Sequence, residues 1–204
     1  MSVNTNHVKN KHLELSELIN RRLPEIVCLE ETYTEDVYIE NYKTFSKPMS
    51  QCPHGSVILV RTDFAGCVEN IETEMVHILK VKAQHKELIL VNVYQMHNKE
   101  QNQKYNDELK KHMENFESYT IIKIGDWNMT PKENPYVKSK TSVKHVNKPT
   151  RTLMTGNLSV RNIDYAYLTN DNNIKTGIKA IIFDISDHKP IELPFKHLGN
   201  TRNK

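Results

Sequence analysis

Hydrophobic positions recur along this chain in two rhythms. Over residues 11 to 22, KHLELSELINRR, Leu15, Leu18 and Ile19 fall at helical spacing among charged neighbours, which predicts an amphipathic helix ended by Pro24. From Lys99 to Ser118, Tyr105, Leu109, Met113 and Phe116 recur every three or four residues among Glu, Lys and Gln, and predict a second, longer helix. Elsewhere the apolar runs are short and β-rich: EIVCL at 25–29, GSVILV at 55–60, VHILKVK at 76–82, LILVNV at 88–93 and YTIIKI at 119–124. Further strands are expected at 163–168, 174–183 and 190–195. The polar turn AQHKE between the third and fourth runs predicts an antiparallel hairpin. Meander-like strands interrupted by two amphipathic helices predict an α/β fold of two stacked mixed β-sheets with helices on the outer faces.

A chain of 204 residues is long enough to bury a core without disulfides or a structural metal, and we expect one domain over 1–196 followed by a polar tail, 197–204. Hydrophobic residues at 37% and charged residues at 26%, with six Gly and eight Pro, exclude collagenous, disordered and membrane-spanning classes. No run approaches the length of a membrane span, and MSVNTNHVKNKHLEL has neither an apolar signal core nor a cleavage site. Cys28, Cys52 and Cys67 form no CxxC pair, so they read as reduced thiols, and the expected location is nuclear or cytoplasmic with no membrane partner.

The net charge of +3 is too small to name a partner, but its distribution is informative. Residues 134 to 163 contain no acid, while Lys138, Lys140, Lys144, Lys148, Arg151 and Arg161 all fall there; residues 25 to 40 hold six acids and no Lys or Arg. The basic run is expected to form loops that track a phosphate backbone without reading sequence, and its alternative is a solvated lysine-rich loop.

Three polar clusters follow apolar strands, Leu29-Glu30-Glu31-Thr32, Gly125-Asp126-Trp127-Asn128 and Ser186-Asp187-His188, and a fourth, Asn162-Ile163-Asp164-Tyr165, sets an acid within a β-like run. Acids at strand ends converge on one rim of a sheet, where several carboxylates either hold a divalent cation or repel one another. Oxygen donors favour magnesium, manganese or calcium over zinc. Taken singly, each cluster is an ordinary turn, and Trp127 reads as a residue packed beneath its loop.

Taken together and in this order, the clusters resemble the endonuclease/exonuclease/phosphatase superfamily, whose members carry a Leu-Gln-Glu-Thr-like string, a Gly-Asp-x-Asn loop, a late Asp before an aromatic and a Ser-Asp-His terminus. The matching residues are Glu31, Asp126 with Asn128, Asp164, and Asp187 with His188; MSVNTNHV looks like the family's first strand with Asn4 at its active-site Asn, and Tyr94 in VNVYQMH looks like its phosphate-contacting Tyr. The strings PEIVCLEET and NIDYAYL are most similar to the apurinic-endonuclease-like domains of non-LTR retrotransposons. Glu30 stands where the family usually has Gln, Asn6 replaces an acid found in repair relatives, and His97 replaces an Asn.

The resemblance implies a four-layer α/β sandwich and a Mg²⁺-dependent (or Mn²⁺-dependent) DNA endonuclease that leaves a 3′-hydroxyl and a 5′-phosphate. It implies that Glu31, with Asn4 or Asn6 and with Asp187 through water, holds the metal. Asp126 then orients or deprotonates the attacking water, Asn128 fixes water and phosphate, and Tyr94 and His188 contact phosphoryl oxygens, His188 oriented by Asp164. It also implies linkage to a reverse transcriptase in a larger polyprotein, from which this domain is cut. The alternatives are a same-fold phosphatase or phosphodiesterase acting on RNA, phosphoinositides or lipids, and a non-catalytic nucleic-acid-binding domain.

Overall fold

The computed structural model describes residues 1–83, 86–134, 142–144, 149–155, 157–169, 174–183 and 185–197. In chain order the elements are β1 (Ser2–Asn4), α1 (His12–Arg22), β2 (Ile26–Glu30), β3 (Tyr42–Ser46), β4 (Ser56–Arg61), β5 (Val68–Ile71), β6 (His77–Ala83), β7 (Lys86–Tyr94), α2 (Lys99–Glu114), β8 (Thr120–Asp126), β9 (Ser142–Lys144), β10 (Arg151–Thr155), β11 (Asn157–Arg161), β12 (Asp164–Thr169), β13 (Ile174–Thr176), β14 (Lys179–Ala180), β15 (Ile191–Glu192) and β16 (Phe195–His197). One six-stranded sheet runs β14-β15-β1-β2-β4-β3 and the other β5-β6-β7-β8-β12-β9, each mixing parallel and antiparallel pairs. Two small pairs, β10-β11 and β13-β16, complete the fold among the described residues.

Alternation along the strands sorts side chains into three apolar layers. Val27, Leu29, Val57 and Leu59 pack under Leu15, Leu18 and Ile19 of α1. Cys28, Ile58, Val60, Leu79, Leu90, Ile122, Ile124, Ala166 and Leu168 fill the space between the sheets. Ile89, Val91, Ile121, Tyr165 and Tyr167 lie under Tyr105 and Leu109 of α2. The architecture is therefore helix, sheet, sheet, helix, as the periodicity predicts. It is an α/β sandwich whose middle layer is the sheet-to-sheet interface.

Four sequence expectations change. The second helix ends at Glu114 and not Ser118, because the chain after Asn115 tightens into turns closed by Phe116 N to Met113 O and Tyr119 N to Phe116 O. The basic segment is not only loop: it contributes β9 at a sheet edge and the β10-β11 hairpin. The run 174–183 is two strands that switch partner across the exposed Gly177, β13 pairing β16 and β14 pairing β15. Tyr42–Ser46 and Val68–Ile71, too short and polar to stand out, are the edge strands β3 and β5. The tail beyond His197 lies outside the described residues.

Gly125 occupies the one position in β8 that no other residue fits. Its φ is +147°, and a Cβ there would stand 2.0 Å from the Val93 carbonyl oxygen and 3.0 Å from Glu30 Oε1. Gly125→Ala is expected to lower stability by ~3 kcal/mol or more through clash and strain. Chemical denaturation of parent and variant checks this.

Candidate active site

On each central strand the face that turns toward the other sheet is apolar for most of its length and then becomes polar at the same end. On β8, Ile122 and Ile124 give way to Asp126; on β12, Leu168 and Ala166 give way to Asp164; on β7, Leu88 and Leu90 give way to Asn92 and Tyr94. On β2, Cys28 is followed on that face by Glu30, and on β1, Ser2 by Asn4. The sandwich therefore ends in a polar rim, and the register of the strands brings the polar groups level: Asp164 is directly opposite Asp126, and Tyr94 is beside it.

Two carboxylates facing each other across neighbouring strands repel unless a cation or donor lies between them. His188 supplies one. Its Nδ1 contacts Asp164 Oδ1 and Oδ2 at 3.0 and 3.1 Å, and its Nε2 lies 3.8 Å from Asp126 Oδ2. Ligand atoms of the three residues all lie within 4.8 Å of one another, and all three side chains are buried. Asp126 also accepts from Asn4 Nδ2 at 3.0 Å and from the Asn128 backbone N–H at 2.8 Å. Asn4 Nδ2 reaches Glu31 Oε1 at 3.2 Å as well, so one amide ties the Glu31 carboxylate to the Asp126 carboxylate.

The protonation equilibria follow from this packing. Burial first, then the Asp164 charge, pushes the Asp126 carboxyl up to about 7, against the opposing pull of His188, the Asn128 N–H and Asn4. Burial pulls His188 down, but Asp164 by charge and hydrogen bond, helped by Asp126 and Asp187, outweighs it and brings the imidazole up to about 9. Tyr94 is held well above the usual phenol range by burial and then by the Glu31 carboxylate beside it.

The backbone around the site is strained. Asn6, Glu31, Tyr33 and Asn128 take φ of 42°, 51°, 49° and 50°, the left-handed region that side chains other than Asn rarely occupy. At Glu31 this turn has a chemical result. Strict alternation sends residue 31 to the α1 side of the sheet with Leu29, whereas the left-handed residue ends β2 and leaves the carboxylate beside Asn4 and Tyr94. Glu30, by contrast, points into the middle layer, fully buried, with Oε1 accepting from the Ser2 hydroxyl at 3.0 Å. Burial, then Asp164, raises its pKa well above the ordinary value. The neutral acid it favours has the shape and polarity of the glutamine expected at that position.

The remaining sequence candidates divide as follows. Asn128 donates its side-chain N–H to Gln95 O at 2.6 Å, and Gln95 N donates to Asp126 O, so the Asp126-to-Asn128 loop is clamped to the end of β7. Asn6 lies on the exposed turn after β1, its N–H donating to Asn4 Oδ1 at 3.2 Å. Asp187 accepts from Arg151 Nε at 3.0 Å, an ion pair at the edge of the site. Arg161 is likewise held, by Glu133 at 2.8 Å. Lys144 lies on β9; Lys138, Lys140 and Lys148 fall outside the described residues. Trp127 is packed, 1% exposed, its indole N–H donating to Tyr165 O and its ring stacked on Tyr165.

Two residues position the site through backbone groups: Thr150, which leaves no signal in the sequence pattern, and Ser186, which opens the Ser-Asp-His string without revealing a role of its own. Thr150, fully buried, accepts at Oγ1 from the backbone N–H groups of Ile163 and Asp164 and fixes the start of β12. Ser186 donates to Asn4 O at 2.7 Å and accepts from His188 N at 3.0 Å, joining the last loop to the first strand. That loop is pinned again by Thr152 N to Asp187 O and Lys189 N to Thr150 O. A lone Thr or Ser acting through backbone groups makes no periodic pattern.

The Endonuclease/Exonuclease/phosphatase family matches residues 1–188, and the chain belongs to that family. Among solved structures it is similar to the endonuclease domain of TRAS1, a telomere-specific non-LTR retrotransposon, at 17% identity, covering 96% of each chain with a TM-score of 0.73. It is similar also to an apurinic endonuclease from Leishmania major at 12% identity, covering 96% of this chain and 86% of that one with a TM-score of 0.71. D. rerio TDP2, crystallised with a single-stranded DNA product, matches at 16% identity over 96% and 97% of the two chains with a TM-score of 0.67. No curated sequence is similar enough to count as a match. At these identities the likeness establishes the fold, a scaffold shared by nucleases and phosphodiesterases. Among the described residues no helix is long and apolar enough to cross a membrane.

Proposed function

We propose that the chain is a divalent-metal-dependent DNA endonuclease that hydrolyses one phosphodiester strand, leaving a 3′-hydroxyl and a 5′-phosphate, and that it is the target-nicking domain of a non-LTR retrotransposon linked to a reverse transcriptase. The observation that carries this reading is the meeting of Asp126, Asp164 and His188 within 4.8 Å at a polar rim beside Asn4 and Glu31. A TRAS1-like fold over 96% of the chain supports the retrotransposon assignment.

The donors at the rim fit a hard cation. Glu31 offers carboxylate oxygens beside Asp126, the two held together by the Asn4 amide N–H, while Asn4 Oδ1 faces the Asn6 N–H, so the donor set is one of carboxylate and amide oxygens. Glu31 would hold the ion with Asn4 or Asn6, and with Asp187 through water. A bound Mg²⁺ or Mn²⁺ supplies Lewis-acid stabilisation of the oxygen that leaves.

The chain's own groups do the rest. Asp126, with a pKa brought near neutrality, takes the proton of the attacking water. Asn128 and Asn4 hold its carboxylate in one orientation, and Asn128 fixes water and phosphate. His188, protonated and aligned by Asp164, donates from Nε2 to a phosphoryl oxygen on which charge accumulates. Tyr94, kept as a phenol, donates to the same phosphate.

The acid and base roles set the pH dependence. Asp126 acts as a carboxylate, so the rate rises as pH passes about 7; His188 acts as an imidazolium, so the rate falls as pH passes about 9. A bell-shaped profile of kcat/KM with its plateau between these limbs is the expected result, and a flat profile across them contradicts the assignment. The substrate class is tested by comparing conversion of supercoiled plasmid to open circle with release of phosphate from inositol phosphates and shortening of polyadenylate. The proposal expects activity on plasmid and little on the others; the reverse order makes the chain a phosphatase or deadenylase of the same fold.

A further inference from the structure

Behind the active site, on the opposite face of the second sheet, α2 does not close completely over β8 and β12. A cavity of about 400 Å³ remains, with Leu109, Met113 and the exposed Lys110 of α2 on one side and Lys123, Trp127, Tyr167 and Thr169 of the sheet side on the other. Small-molecule sites are commonly of this size, mostly apolar with a few polar groups.

The placement of Lys123 is unusual. It stands in β8 between Ile122 and Ile124, with Val91 and Tyr167 as its neighbours across the sheet, on the face that α2 covers. Burial alone lowers its pKa, to about 8, and among the described residues no carboxylate pairs with it. The acids of α2 that could have answered it are engaged elsewhere: Glu100 with Lys104, Asp107 with Gln103, and Glu108 with the backbone N–H groups of residues 74 to 76. The Tyr167 hydroxyl and Thr169 Oγ1 are also buried without a partner. The two unpaired buried hydroxyls cost stability, and a ligand that satisfied them and also met the half-buried Lys123 ammonium would offset that cost.

From the cavity, the unpaired cation and the apolar walls together, we infer that this site binds a small amphipathic carboxylate, its acid group on Lys123 and its apolar body against Leu109, Met113 and Trp127. The inference stands on the cavity and is independent of the nuclease reading. Trp127 connects the two, since it lines the cavity and sits in sequence between Asp126 and Asn128.

Trp127 is also the single tryptophan of the chain, so emission carries the signal of this one indole, and the Lys123 variant assigns a change to the cavity. The full chain is titrated with decanoate, decanol and decyltrimethylammonium, with one-to-one stoichiometry checked by calorimetry. Decanoate is expected to change Trp127 emission saturably, with decanol about tenfold weaker and the cation weaker still, since a charge-assisted hydrogen bond is worth about that factor or more. Lys123→Met should reduce decanoate to the affinity of decanol while leaving decanol unchanged. Equal affinity for the three probes, no saturable change with decanoate, or undiminished decanoate binding by Lys123→Met would each overturn the proposal. If Lys123→Met does not fold, the three-probe comparison on the parent decides alone.

Discussion

Asp126→Asn is expected to lower the rate of strand cleavage roughly 10²- to 10⁴-fold, the range a general base contributes, with little change in KM. The substitution keeps the shape of the side chain and an oxygen that can accept from the Asn128 N–H at the 2.8 Å seen for Asp126, so the clamp on the loop survives. What it removes is the group proposed to take the proton. It also removes a fully buried negative charge directly across from Asp164, and with it the acceptor for Asn4 Nδ2, so the two effects oppose and the melting temperature is expected to move by only about a few degrees. Loss of rate with retained stability separates a chemical role from a structural one. Lost stability in proportion to lost rate would make Asp126 a structural acid.

Metal removal produces an effect of similar size through a different residue. EDTA is expected to abolish cleavage, and Mg²⁺ or Mn²⁺ to restore it. Glu31→Gln is expected to raise the metal concentration for half-maximal rate roughly ten- to a hundredfold or more. Gln keeps an acceptor for Asn4 Nδ2, which holds Glu31 Oε1 at 3.2 Å, so the variant tests charge and not the hydrogen bond. Glu30→Gln is the internal control. Glu30 is buried in the middle layer against Ser2 with its pKa raised, so a neutral amide there should leave the metal dependence close to that of the parent. A Glu30→Gln protein with the larger shift in metal dependence would exchange the roles of the two residues.

The layers of the fold were legible because each central strand carries two apolar stripes, and the alternation of Val27 and Leu29 against Cys28, or Ile58 and Val60 against Leu59, is the sandwich written in sequence. The convergence of Asp126, Asp164 and His188 was legible only through motif order, since nothing in the spacing of residues 126, 164 and 188 encodes a 4.8 Å cluster. Edge strands and the β10-β11 hairpin were not legible, because a strand paired on one side needs no apolar stripe of its own. The direction of Glu31 was hidden for another reason. It depends on a left-handed backbone at a residue whose type gives no hint of it, and is paid for by packing of the chain around it. Arg151 illustrates the limit of charge counting: it belongs to the basic run, yet its guanidinium is held by Asp187 beside the site.

The proposed chemistry requires Asp126, Asp164 and His188 to act together on one phosphodiester next to Glu31, and plasmid nicking tests this most directly. Supercoiled plasmid is incubated with parent and His188→Ala protein in Mg²⁺ and in EDTA, and the nicks are offered to a DNA polymerase. The parent in Mg²⁺ should give open circles whose 3′ ends extend without further processing, while His188→Ala and the EDTA arm should give almost none. Open circles formed equally by His188→Ala, or by the parent in EDTA, would contradict it.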